Sequence, residues 1–114
     1  MPIHDAPYYH PSQLATFSEV GHNCPELAEK FFAWYRAVFT DGALSARDKS
    51  LIALGVAHAI MCPYCIDAYS KDALEKGADL DQMTEAVHVA AAIRGGASLV
   101  HGVQMRGHVA KVGM

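Results

Sequence analysis

The spacing of apolar residues along the chain predicts helices rather than strands. Several segments place apolar residues three or four positions apart, as on one face of a helix. No segment between turn signals alternates apolar and polar residues with the β-branched and aromatic content that strands favour. The pattern therefore predicts an all-α protein.

Capping residues divide this pattern into separate helices. Cys24-Pro25 and Cys62-Pro63 place proline at a first helical position, where its missing N–H costs nothing. The sequences that begin at Ser45 and Asp79 fit capping boxes, in which side chains satisfy the unpaired backbone donors of a first turn. The predicted helices cover residues 12–20, 25 to about 38, 46–60, 63–76 with Gly77 as a left-handed C-cap, 80–94 up to a break at Gly95-Gly96, and 97–110.

The helix predicted over residues 46–60 is apolar on all sides in its second half, from Ile52 to Ile60. A helix that is apolar all round is enclosed by other elements. We therefore expect it to form the centre of a compact bundle of five to six helices. This bundle is a single domain over residues 1–114, with an irregular N-terminal arm over about residues 1–11.

Composition extends this picture to an assembly. Apolar residues make up 52% of the 114 residues, and charged residues make up 18%, against about 25% in ordinary globular domains. A chain of this length buries only about 60–70% of its unfolded surface by itself. We therefore expect a homo-oligomer, in which part of the apolar surplus lies between subunits.

Charge and hydropathy exclude several partners. The net charge of -3 does not favour a nucleic-acid surface. The longest apolar run, residues 51–65, is shorter than a membrane span of about 20 residues and contains Gly55, His58 and Pro63. No basic segment leads into an apolar stretch near residue 1. We therefore expect a cytoplasmic protein with no membrane or nucleic-acid partner.

The sequence Cys62-Pro63-Tyr64-Cys65 carries the candidate chemistry. An odd count of three cysteines is not typical of a secreted disulfide framework. Proline after Cys62 places both cysteines in the first turn of a helix, where backbone N–H groups and the helix dipole stabilise thiolates. We therefore expect both thiols to be acidic. One sulfur can attack a peroxide or a disulfide, and the other can resolve the product into a disulfide.

Other uses of two cysteines remain open at this point. A zinc site needs two further ligands, and neither a second Cys-x-x-Cys nor a His-x-x-x-His follows, so we expect no metal and no cofactor. A thioredoxin fold would need a strand before the motif, and none is predicted. Two thiolates one turn apart also suit a thiophilic species such as trivalent arsenic. A non-catalytic binding partner is therefore the alternative to an enzyme.

The chain resembles the alkylhydroperoxidase D-like branch of the carboxymuconolactone decarboxylase family from about residue 25 to residue 102. The matching features are the segment 44–54, the motif with its following residues 62–68, the Gly77-Ala78 turn and the Ala-rich helix that ends at residues 95–96. The resemblance implies an all-α fold, trimers or hexamers, and peroxidase chemistry with Cys65 attacking. The partners it implies are a small-molecule hydroperoxide and an external dithiol reductant.

Other groups of the same family are also relevant. The decarboxylase branch does not depend on a Cys-x-x-Cys, so the motif counts against a decarboxylase or a lactone-processing enzyme. The sequence also looks like a peroxidase-like subgroup that is associated with arsenosugar biosynthesis. That likeness implies a pathway association and not a particular reaction.

The chain departs from the family's proton relay at two positions. The family's glutamate, twelve positions before the first cysteine, is Ser50 here, and its histidine, four positions after the second, is Tyr69. Tyr69 lies one turn after Cys65, but a phenol with a pKa near 10 is a poor base at neutral pH. His58, four residues before Cys62, has an ordinary pKa near 6.5. We predict that His58 takes the thiol proton and that Tyr69 hydrogen-bonds the sulfur.

Overall fold

The computed structural model describes residues 16–113, and all of the regular elements among these residues are helical. The all-α class is therefore confirmed. The predicted N-terminal arm and the first part of the predicted helix over 12–20 lie outside the described residues, and the remainder of that helix is a 3₁₀ turn. The elements are the 3₁₀ helix Phe17–Gly21, α1 Pro25–Val38, α2 Ala46–Ala59, α3 Pro63–Glu75, α4 Leu80–Val100 and α5 Gly102–Lys111.

Local capping determines where the central helices begin. Asp48 N–H donates to Ser45 Oγ at 3.0 Å at the start of α2. At the start of α4, Gln82 N–H donates to Asp79 Oδ1 at 2.8 Å, and Asp79 N–H donates to Gln82 Oε1 at 3.0 Å. Gly77 adopts a left-handed φ of 89° after α3. These predicted caps are confirmed, because each depends on residues within four positions of one another.

The predicted helix break at Gly95-Gly96 is wrong. α4 continues through both glycines to Val100, and the helical path changes at His101. Among the described glycines, positive φ angles occur only at Gly77 and Gly113. A glycine inside a helix costs about 1 kcal/mol relative to alanine, but it does not force the backbone out of the helical conformation. The alanines on both sides of the pair favour the helix.

Helix α2 lies at the centre of the fold, between α3 on one side and α4 on another. Leu54 of α2 packs with Ala73, Ala78 and Met83 in the buried core, and Leu51 and Tyr69 pack against this group. The helices α2 and α4 approach closely at Gly55, where an added Cβ would lie 3.3 Å from the Ala86 carbonyl oxygen. The core therefore fixes α2 against the helix that carries the cysteines.

The third side of α2 is bare, so the prediction that α2 is enclosed on all sides is wrong for the single chain. Ile52 and Val56 are each 52% exposed, and Ile60 is 64% exposed. A groove between α2 and α4 exposes further apolar atoms, including those of Val89 and Ile93. The helices within residues 16–113 are too few to cover every side of the central one.

The isolated chain is also less compact than predicted. Its Cα radius of gyration is 19.1 Å, against about 13 Å for a compact domain of 100 residues. Helix α5 packs against the end of α4 and exposes apolar side chains, including Val103 and Met105. The predicted compact bundle therefore does not describe one chain by itself.

Candidate redox site

The two motif cysteines lie in the first turn of α3, as predicted. Cys62 is the N-cap residue, and Cys65 N–H donates to Cys62 Sγ at 3.2 Å. The two sulfurs are 2.7 Å apart, with the Cys62 thiol donating to Cys65 Sγ. Met61, with a left-handed φ of 55°, turns the chain from α2 into this position. The pair is therefore held at a tight junction of two helices.

The sulfurs differ in their electrostatic environment. Burial, the hydrogen bond with Cys62 and the charge that Cys62 can carry together raise the pKa of the Cys65 thiol to about 11, although the Cys65 backbone N–H lowers it. The expectation that both thiols are acidic is therefore wrong for Cys65. The free N–H of the first turn points at Cys62, and two neighbouring sulfurs do not both ionise easily. The Cys65 thiol therefore keeps its proton at neutral pH.

Cys65 opens into a cavity of about 630 Å³ with mainly apolar walls. The cavity lies between α1, α2 and the start of α3, and it is open on one side. Tyr69 lines it together with Cys65, as the helical spacing predicted. The lining residues are Tyr35, Val38, Phe39, Leu44, Lys49, Ile52, Ala53, Val56, Ala57, Ile60, Cys65 and Tyr69.

Two tyrosines meet at the wall of this cavity. The hydroxyls of Tyr35, from α1, and Tyr69, from α3, form a hydrogen bond. Phe39 stacks on Tyr69 with ring centroids 5.2 Å apart, which fixes the Tyr69 ring. Burial raises the pKa of Tyr35, and the negative charge that Cys65 can carry raises it further. Tyr35 is therefore a protonated hydrogen-bond donor at neutral pH.

Sequence reasoning missed Tyr35. Tyr35 is 34 positions from its partner Tyr69. No local spacing connects the two hydroxyls. The one available signal was a phenol among apolar rings, since a buried tyrosine hydroxyl generally needs a partner.

Ser50, at the position that the family resemblance assigns to glutamate, has a different role here. Ser50 is fully buried, and its Oγ donates to Asp72 Oδ2 at 2.8 Å. Lys76 Nζ donates to the other carboxylate oxygen of Asp72. Burial raises the pKa of Asp72, but the hydrogen bonds from Lys76 and Ser50 and the Lys76 charge outweigh it and leave the pKa lowered. Ser50 therefore holds an ionised carboxylate.

His58 does not join the cavity that Cys65 lines. Its Nδ1 lies 2.8 Å from the Leu54 carbonyl oxygen, one turn earlier in α2. At about 100° per residue, His58 lies roughly 180° around the helix from Lys49, which lines the cavity. No measurement tests the predicted role of His58 as a base, but its position outside the cavity lining favours a role apart from the proton transfer.

We expect His58→Ala to change the rate of peroxide-driven thiol oxidation by less than about threefold near neutral pH. A base that acts on the reacting proton contributes about 10²- to 10⁴-fold, and it must be within hydrogen-bond reach. Stopped-flow measurement of thiol oxidation tests this, with His88→Ala on the exposed side of α4 as the control. A loss of 10²-fold or more would instead establish His58 as the base.

Among residues 16–113, no three ligating side chains converge as a metal site would require. Within the same range, no helix is long and apolar enough to cross a membrane. Within this range, the candidate chemistry lies at the Cys62–Cys65 sulfur pair.

Comparison with known proteins identifies the family. The sequence model of the carboxymuconolactone decarboxylase family matches residues 25–105. The chain belongs to this family. The match covers α1 to α4 and the start of α5, and it includes the cysteine pair, Tyr35, Tyr69 and Asp72.

Three known proteins are similar to most of the chain. The "uncharacterized protein 4 in cox locus" of Paracoccus denitrificans is 41% identical over 91 residues, which cover 80% of this chain and 82% of that protein. A crystal structure of a protein from Methanobacterium thermoautotrophicum has a TM-score of 0.71 and 33% identity, and covers 74% of this chain and 94% of its own. A family member from Legionella pneumophila has a TM-score of 0.63 and 34% identity, and covers 81% of this chain and 80% of its own.

Proposed function

We propose that this carboxymuconolactone decarboxylase family member is an enzyme of the alkylhydroperoxidase D-like branch, a thiol-dependent peroxidase or disulfide-exchange protein. The observation that carries the proposal is the pair of free sulfurs, 2.7 Å apart, at a helix start. One of them, Cys65, lines an apolar cavity that can hold the organic part of a hydroperoxide. An external dithiol then reduces the disulfide that forms.

The sulfur pair can carry out both chemical steps. Cys65 loses its proton to the medium, and its sulfur attacks the outer oxygen of the peroxide while it is hydrogen-bonded by the Cys62 thiol. The S–O bond forms and the O–O bond breaks, which leaves a sulfenic acid on Cys65 and an alkoxide that takes up one proton. Cys62 Sγ then attacks the sulfenic sulfur, the S–S bond forms, and the hydroxyl leaves as water with the Cys62 proton. Each turnover oxidises the dithiol by two electrons and reduces one peroxide to an alcohol and water.

The second candidate is binding of a thiophilic species without turnover. Two sulfurs that converge at a helix start can both coordinate trivalent arsenic, which prefers soft ligands. This candidate agrees with the likeness to the arsenosugar-associated subgroup. A decarboxylase-like reaction gives the sulfur pair no part in the chemistry.

The proposal includes a homo-oligomer, a trimer or a hexamer, in the reducing cytoplasm. The bare side of α2 and the exposed apolar residues from the end of α4 to the residue after α5 support an assembly, because a single chain leaves Leu99, Val103 and Val112 each more than two thirds exposed. Contiguous exposed apolar surface of this kind is typical of a face that meets another subunit. Sedimentation of the purified chain tests this part of the proposal.

Mass spectrometry combined with stopped-flow kinetics tests the function. We expect one equivalent of cumene hydroperoxide to produce one Cys62–Cys65 disulfide, at a rate proportional to the peroxide concentration. A chain that does not react with hydroperoxides but binds one arsenite per chain would favour the binding function instead. A chain that does neither would contradict both candidates.

Removing Cys62, the neighbour of Cys65 in the sulfur pair, should lower the pKa of the Cys65 thiol. Cys62→Ala removes the hydrogen-bond partner and the charge that raise the Cys65 pKa, so the pKa should fall from about 11 toward the ordinary thiol value near 8.5. At neutral pH, Cys65 should therefore be alkylated faster in the variant. The initial rate of iodoacetamide labelling, followed against pH and resolved for each cysteine by mass spectrometry, measures this. Cys24→Ala, which alters an exposed cysteine, is the control.

A further inference from the structure

The Tyr35–Tyr69 pair separates two cavities. Both tyrosines, together with Phe39, line the cavity of Cys65 and also a second cavity of about 440 Å³ on the other side. The second cavity contains the carboxylate of Asp72 and its partner Lys76. The two phenols therefore stand between the sulfur and an ionised acid.

Hydrogen-bond stoichiometry gives this pair one available proton. Each phenol has one O–H, and one of the two hydrogens is used in the bond between the two oxygens. The other hydrogen is available to a further acceptor in one of the two cavities. Burial and the nearby Cys65 keep Tyr35 protonated, so it can donate at neutral pH but cannot serve as a base.

The reaction in the Cys65 cavity needs such a donor. When sulfur attacks a hydroperoxide, the departing alkoxide is a strong base in a mainly apolar cavity, where an unpaired charge is costly. Among the polar groups lining this cavity, Cys65 is the attacking sulfur and has already lost its proton in the proposed reaction. Lys49 Nζ already donates to the Thr40 carbonyl oxygen. The tyrosine pair is the remaining polar group of the lining.

We propose that Tyr35 is a catalytic residue that protonates the departing oxygen, with Tyr69 hydrogen-bonded to it as the second member of the donor pair. This inference rests on the proposed peroxidase function. The Tyr35 O–H bond breaks as the alkoxide becomes an alcohol, and the phenolate regains a proton through Tyr69 from the medium. The pair thereby replaces the glutamate and histidine relay that the family resemblance implies at positions 50 and 69.

Peroxides with different leaving groups test this role. Cumene hydroperoxide releases a strongly basic alkoxide, whereas peracetic acid releases acetate, which needs no proton at neutral pH. We expect Tyr35→Phe to lower the rate of Cys65 oxidation by about 10²-fold with cumene hydroperoxide and by less than about threefold with peracetic acid. Trp34→Phe, at an exposed position of the same helix, should leave both rates unchanged.

The ratio of the two rates in one sample is independent of the folded fraction. Equal losses with both peroxides would therefore show that Tyr35 acts only through structure, which would overturn this inference and leave the peroxidase function intact. A wild-type chain that is inert to both peroxides would overturn the peroxidase function, and the inference with it.

Discussion

Cys65→Ser should abolish peroxide-driven disulfide formation and lower the rate of peroxide consumption by roughly 10³-fold or more, as expected for loss of a nucleophile. A serine hydroxyl at this position is a far weaker acid than a thiol, and Cys62 has no direct opening into the apolar cavity. Cys62→Ser should behave differently. Its Cys65 can still attack once, but no second thiol resolves the sulfenic acid, so repeated peroxide oxidises Cys65 to a sulfinic acid.

Intact-protein mass spectrometry after peroxide treatment distinguishes the two variants. The Cys62→Ser chain should gain first one and then two oxygens, while the Cys65→Ser chain should gain none at the motif. Cys24→Ser is the matched control, because Cys24 is exposed at the start of α1 and its side chain makes no capping hydrogen bond. Sulfenic acid on Cys62 in the Cys65→Ser chain would contradict the assignment of the attacking sulfur.

Placing the family's glutamate at position 50 should destabilise the fold instead of restoring the relay. Ser50 is fully buried, and its Oγ lies 2.8 Å from Asp72 Oδ2. A second carboxylate there would be larger than serine and would face the ionised carboxylate of Asp72. We expect Ser50→Glu to lose at least about 3 kcal/mol of unfolding free energy, because a buried charge without a partner is among the most costly substitutions.

Urea unfolding at one fixed protein concentration measures this loss. The matched variant Ser50→Ala removes one hydrogen bond to Asp72 without adding charge, and it should cost about 1–3 kcal/mol. If Ser50→Glu unfolded at the same urea concentration as Ser50→Ala, the position would tolerate a carboxylate. The interpretation of Ser50 as a holder of Asp72 would then be wrong.

The predictable part of the fold is the part that short-range chemistry determines. The caps at Ser45, Asp79 and Cys62 each join a side chain to a backbone N–H three positions later, so the sequence alone identified them. Gly95-Gly96 misled the same reasoning. A glycine weakens a helix, but only an alternative backbone conformation ends one, and here the helical path continues to Val100.

Sequence reasoning predicted only the part of the candidate site that is formed by residues close together in the sequence. The positions of Cys62, Cys65 and Tyr69 followed from helical spacing. The partner of Tyr69 comes from α1, and the raised pKa of Cys65 results from burial and from the geometry of the sulfur pair. The helix dipole alone predicted the opposite direction for Cys65, because sequence spacing does not show which of two sulfurs receives the free N–H.

The bare side of α2 connects the proposed assembly with the proposed activity, so that the activity depends on protein concentration. Ile52 and Val56 belong both to the wall of the Cys65 cavity and to the apolar groove between α2 and α4. If a second copy covers that side, separating the copies admits water to the cavity and weakens its hold on an apolar substrate. Activity per chain would then fall as the protein is diluted below the dissociation constant of the assembly, by mass action. Kinetic constants for this protein would therefore have meaning only at a stated subunit concentration.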